Sequence, residues 1–254
     1  MPSPVNNRRS LAAILGIFLM ASFGPVAAQS GADRLVAAYP DFLARHDGVD
    51  LFWKDGARLP LSDGGKTKSF DEKLKSPSLL DQMELPYPKG RLTAAPGAQD
   101  DPGRFRNVAF FDKMYGDCAK GEVAKRLVRV AWLPKAGGGA VMATPVNGVA
   151  ERLRRVSEEL DGLKPDVRAY AFPSAGTFNC RPVQDTGNRS VHAWGAAIDL
   201  NTKFADYWLW RKNAPYRNRL PYEIVEIFER NGFIWGGKWG HYDTMHFEYR
   251  PELL

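Results

Sequence analysis

Strand-like and helix-like patterns are mixed along this 254-residue chain without the strict alternation that a doubly wound parallel sheet requires. From Ala32 to His46, Leu35, Val36, Tyr39, Phe42 and Leu43 follow helical spacing, with Pro40 ending or kinking the helix. Val49–Trp53 and Arg58–Leu61 flank Lys54-Asp55-Gly56, a hairpin signal. Leu127–Leu133 alternates as a half-buried strand and stops at Pro134 and the Gly137-Gly138-Gly139 turn. Asn147 is placed to cap a helix running to Leu160, with Gly162 as its stop. Arg168–Phe172 and Gly195–Leu200 read as short strands, Pro221–Arg230 as a helix, and Phe233–Trp235 and Met245–Tyr249 as closing strands. The short connection between those last two favours antiparallel pairing. The expected class is therefore α+β, a small antiparallel sheet flanked by helices, and no repeat of solenoid or propeller length is present.

Residues 1–28 differ from the rest. Arg8 and Arg9 precede an apolar run from Leu11 to Val26, and Val26-Ala27-Ala28 stands before Gln29. This is the pattern of a signal peptide cleaved after Ala28, so the protein is expected to be exported, periplasmic or secreted, with no stable membrane span after cleavage. Losing Arg8 and Arg9 lowers the formal net charge from +6 to +4. The remaining cations are scattered among 29 acids, without the basic stripe of a nucleic-acid binder, and the balance suits an anionic extracytoplasmic polymer. Cys118 and Cys180 are the only cysteines, and an oxidising compartment predicts that they pair.

The segment Pro86–Gly103 carries four prolines and three glycines and reads as a linker, so a boundary is placed before Arg104. Residues 29–105 are then an N-terminal extension whose role the sequence does not declare. Common catalytic motifs fail on inspection. Gly64-Gly65-Lys66-Thr67 lacks the phosphate-loop glycine, since Pro60 stands five residues before Gly65. No serine has a lysine three positions on, no Lys-Thr-Gly occurs, and there is no HExxH.

Three of the four histidines fall between residues 192 and 246, each near a carboxylate. A catalytic zinc takes three His, Asp or Glu ligands and keeps a fourth position for water, a set that His192, Asp199 and His246 would supply. In an extended segment Ala197 and Asp199 share a face, and Met245, Phe247 and Tyr249 form an apolar face that sends His246 and Glu248 to the other. The run Ser190-Val191-His192-Ala193-Trp194-Gly195-Ala196-Ala197-Ile198-Asp199 fits SxHxxGxAxD, and Asp243-Thr244-Met245-His246 fits DxxH. Together they resemble the signature of the LAS zinc peptidases, the group of VanY-type D-alanyl-D-alanine carboxypeptidases and L-alanyl-D-glutamate endopeptidases. The resemblance continues through Gly176–Arg181 and Gly232–Trp239 and covers roughly residues 106–251.

This resemblance implies a hedgehog- and DD-peptidase-like domain over residues 106–254. It implies one Zn2+ held by His192, Asp199 and His246, with Asp243 as catalytic carboxylate and Arg181 as the contact to a substrate carbonyl or carboxylate. The implied substrate is the peptidoglycan stem peptide, cut at a D-amino-acid-containing bond, with D-alanyl-D-alanine carboxypeptidase as the leading activity. An L-alanyl-D-glutamate-type endopeptidase and a non-catalytic, zinc-stabilised wall-binding module are the alternatives, and a cysteine peptidase built on Cys180 and His192 is a further rival. Ser190 is expected to brace the His192 loop, and His241, offset by five from His246, to line the cleft or face solvent. Oligomeric state is not legible.

Overall fold

The computed structural model describes residues 29–211 and 214–254, together with Met1 and Ser3, so the expected leader lies almost wholly outside the described residues. Ser30 opens the first helix, α1 (Gly31–Ala38), through a reciprocal capping box with Asp33. The helix stops at Ala38, just before Pro40, which has no N–H to continue it, as the sequence predicts. The chain turns instead into β1 (Leu43–His46), which gains ladder bonds from the predicted hairpin β2 (Asp50–Trp53) and β3 (Arg58–Pro60) and makes it a three-stranded antiparallel sheet. Two short helices follow, α2 (Phe70–Lys75) and α3 (Leu79–Gln82), each opened by a serine capping box.

Pro86–Gly103 is irregular, as its composition predicts, but it is not a free linker. Lys238 Nζ donates to Pro88 O at 2.8 Å, Trp239 Nε1 to Pro102 O at 2.6 Å, and an Arg250 guanidinium nitrogen to Gly103 O at 2.8 Å. Beyond it come α4 (Val108–Tyr115) and the hairpin β4 (Val128–Ala131) and β5 (Ala140–Ala143), turned through the triple glycine. Asn147 does not cap the next helix. It sits at φ +55° and gives its side-chain amide to Tyr115 Oη at 3.1 Å, and α5 (Val149–Asp161) begins after Gly148. Arg168–Phe172 is a second correction. Pro165 at the first helical position starts α6 (Pro165–Arg168), a 3-10 turn continues through Ala171, and the apparent alternation is a helical connection.

The last sheet comprises β6 (Ala197–Asp199), β7 (Phe233–Trp235), which follows α7 (Tyr222–Arg230), and β8 (His246–Tyr249). Its order is β6-β8-β7, antiparallel throughout. One hydrophobic core joins the extension to the rest. Tyr39 and Trp53 meet Phe110 at 5.8 and 5.6 Å between ring centroids, and Phe111 stacks on Trp194 at 4.7 Å, beside the His192 turn. The class is α+β, as the mixed pattern predicts.

Candidate metal centre and cleft

The register of β6 against β8 places Asp199 directly opposite His246. Antiparallel neighbours on one face lie about 4.5–5.5 Å apart, so this pairing alone brings carboxylate and imidazole together. The apolar alternate of β8, Phe247, points the other way and stacks on Phe228 at 3.8 Å, which locks the face that His246 presents. His192 arrives from a 3-10 turn, Val191–Trp194, whose Ser190 hydroxyl accepts from His192 N. Gly195 closes that turn at φ +66°, a conformation that a side chain resists.

The three side chains form a tight triangle. His192 Nε2 lies 3.1 Å from Asp199 Oδ1 and 3.1 Å from His246 Nδ1, and His246 Nδ1 lies 3.0 Å from Asp199 Oδ1. The outer partners fix what these atoms carry. His192 Nδ1 is 2.7 Å from the Thr177 carbonyl, which can only accept, so the ring donates there. His246 Nε2 is 3.0 Å from Glu248 Oε2, a buried carboxylate that also accepts from Arg106 and Arg250. Both N–H groups are therefore spent outward, and three lone pairs face one another in a largely buried pocket. Such an arrangement repels unless a cation or proton stands among them. Tetrahedral zinc with bonds of about 2.0–2.2 Å separates its ligands by roughly 3.3 Å, close to the edges found here. Within the described residues His192, Asp199 and His246 could hold one metal ion.

In the metal-free protein a proton meets that need. Burial works against the Asp199 carboxylate, yet the facing imidazoles of His192 and His246 hold it well below the usual carboxylate range. Burial also opposes charge on His246, but its bonds to Asp199 and Glu248 lift it to about 10. Asp243 moves the other way. Enclosure and the nearby Asp199 charge raise it to about 7, and its Oδ1 is buried with no hydrogen-bond partner. A bridge between Tyr207 and Asp243 holds this residue at the wall of the cleft.

Asp243 and Arg181 line the same cavity as the triangle, about 440 Å3 in volume. Arg181 is exposed, and among the described residues its guanidinium bonds only the Pro182 carbonyl, which leaves it free to reach a ligand. Cys180, its neighbour, is bonded to Cys118, as expected, and that removes the thiol a cysteine peptidase would need. His241 lines the cavity and does not face away into solvent. Other cleft residues escape sequence reasoning. Arg104 and Arg106 come from the far side of the apparent linker, and Tyr207, Trp208 and Trp210 form an aromatic wall with no motif to announce it. Behind the cleft, the alternation of β8 does announce Glu248, two residues after His246 and so on its face of the strand.

Neither the curated proteins nor the solved structures compared with this chain include a match. Residues 184–249 match the family model described as D-alanyl-D-alanine carboxypeptidase. That stretch carries His192, Asp199, Asp243 and His246, so the segment that builds the triangle is similar to the peptidase family that its two motifs resemble.

Proposed function

We propose that the chain is an exported zinc metallopeptidase that hydrolyses D-amino-acid-containing peptide bonds in peptidoglycan stem peptides, acting as a D-alanyl-D-alanine carboxypeptidase. One observation carries the reading: three converging lone pairs share a cleft with a buried carboxylate oxygen that has no partner of its own. His192 Nε2, His246 Nδ1 and Asp199 Oδ1 would hold the zinc, with Thr177 and Glu248 keeping both rings in the required tautomer. When bound, zinc supplies Lewis acidity toward the scissile carbonyl and lowers the pKa of a water to about 7. Asp243 Oδ1 takes the proton of the attacking water and returns it to the leaving amine, a role that suits a carboxylate raised toward neutrality. Arg181 meets the oxyanion or the terminal carboxylate of the peptide.

The family match supports action on peptidoglycan in general. Export rests on the Arg8–Ala28 pattern, and among the described residues no helix is long and apolar enough to cross a membrane. The test is to incubate the mature chain with muropeptides ending in D-Ala-D-Ala and weigh the products. Loss of one alanine mass, abolished by a chelator and restored by zinc, is the expected result. Cleavage elsewhere in the stem would replace the carboxypeptidase with an endopeptidase. Bound zinc without cleavage would leave a wall-binding module.

A further inference from the structure

The imidazole of His241 belongs to neither the metal triangle nor the proposed proton transfer, yet it is held as firmly as either. Its Nδ1 lies 2.7 Å from Asp101 Oδ2, and its backbone N–H donates to Asp101 Oδ1 at 3.0 Å. Asp101 is completely buried, accepts a further bond from Arg104 at 2.8 Å, and is kept ionised against its burial by His241 and Arg104. The ring meets Trp208 edge to face at 4.6 Å, which leaves it one orientation. With Nδ1 committed to the carboxylate, Nε2 is the nitrogen left free; the side chain is 28% exposed, and it lines both the cleft and a neighbouring cavity shared with Arg211 and Tyr242.

Asp101 comes from the Pro/Gly-rich strap of the extension. The strap lies so close that a Cβ on Gly240 would stand 2.1 Å from Gly97 O, and Gly240 N donates to Asp100 O at 2.9 Å. We propose that His241 is a substrate-binding residue whose Nε2 hydrogen-bonds an oxygen of the stem peptide, and that Asp101 is its positioning residue. The extension thereby orients one residue of the peptide-binding cleft. This rests on the peptidase reading above, and it gives residues 29–105 a task within it.

The test compares His241→Phe, which keeps a ring against Trp208 but has no nitrogen, with His241→Gln, whose amide restores a donor near the Nε2 position. Binding of a D-Ala-D-Ala muropeptide is measured by tryptophan fluorescence on an Asp243→Asn background, and KM and kcat are measured with Asp243 intact. The expected result is a Kd and KM at least tenfold higher for His241→Phe, recovered to within about threefold by His241→Gln, with kcat and zinc stoichiometry little changed. Unchanged Kd, or a loss that the glutamine does not repair, would overturn the assignment. So would lost zinc or a fall in kcat alone. If the chain with Asp243 intact cleaves no muropeptide, the peptidase reading fails while the binding comparison still decides the role of His241. Long-range 1H–15N spectra test Asp101 separately. A proton on Nδ1 of His241 that disappears in Asp101→Asn supports the pairing, and a ring protonated only on Nε2 in the unaltered protein refutes it.

Discussion

Asp243 concentrates two opposing demands in one side chain. Its carboxylate is enclosed beside Asp199, which raises it to about 7, and a base must be ionised to take a proton. Asp243→Asn keeps the shape and removes the base, so turnover should fall by about 10²–10⁴-fold with zinc stoichiometry unchanged, as read by product mass and metal analysis. In the loaded enzyme the cation opposes the Asp199 charge, so the acid limb of kcat/KM should lie below pH 7. The metal-free protein gives the complementary sign. Its folded state binds the Asp243 proton more tightly than the unfolded chain, so stability contributed by that proton is full below about pH 4 and is lost as pH rises through about 7. Metal-free Asp243→Asn should therefore melt above the unaltered protein at pH 8, and the difference should vanish near pH 4. Equal melting temperatures at both pH values would show that Asp243 is not enclosed.

At the scale of elements, the pairing of β6 with β8 does the work. It sets Asp199 opposite His246 and Ala197 opposite Glu248, so the two proposed ligands face each other and a small residue faces the buried carboxylate. Glu248 is the hinge of this arrangement. It is fully buried, accepts from His246, Arg106 and Arg250, and is held far below the usual carboxylate range against its burial, first by the charge of Arg106. Glu248→Ala would leave two buried guanidinium groups under-compensated and release the His246 tautomer. A loss of about 3–5 kcal/mol in denaturant unfolding is expected, together with zinc affinity weaker by about 10–100-fold. Unchanged zinc affinity in a folded variant would mean that the outer bond of His246 does not orient it.

On the scale of the whole molecule, the extension and the peptidase segment share buried contacts that neither keeps alone. Tyr39 Oη donates to Glu252 at 2.6 Å, Tyr87 Oη to Glu229 at 2.5 Å, and Asn188 to the Leu74 carbonyl at 3.0 Å. A chain beginning at Arg104 would expose Phe110, Trp239 and the Glu252 carboxylate. We expect it to lose cooperative unfolding and to bind a hydrophobic dye, whereas a sharp melt would establish an independent domain. The Cys118–Cys180 bridge spans 62 residues of sequence, and replacing both cysteines with serine should cost about 4 kcal/mol on the chain-entropy account, as read from denaturant midpoints.

Local chemistry was legible without coordinates wherever one residue decides the outcome. Asp55-Gly56 turns a hairpin, alternation in β8 separates His246 from Phe247, and the spacing from Ser190 to Asp199 marks the turn that carries His192, because each depends on neighbours within a few positions. The strand expected over Arg168–Phe172 failed because apolar spacing over five residues fits either period, and a proline at the first turn breaks the tie. The sequence by itself determined the class of fold and singled out His192, Asp199 and His246 as the proposed donor set, since both readings follow from side-chain period and ligand chemistry. Only the tertiary structure decided that Pro86–Gly103 packs behind the cleft and holds His241, because the hydrogen bonds that pin it join residues about 140 positions apart, where no local pattern reaches.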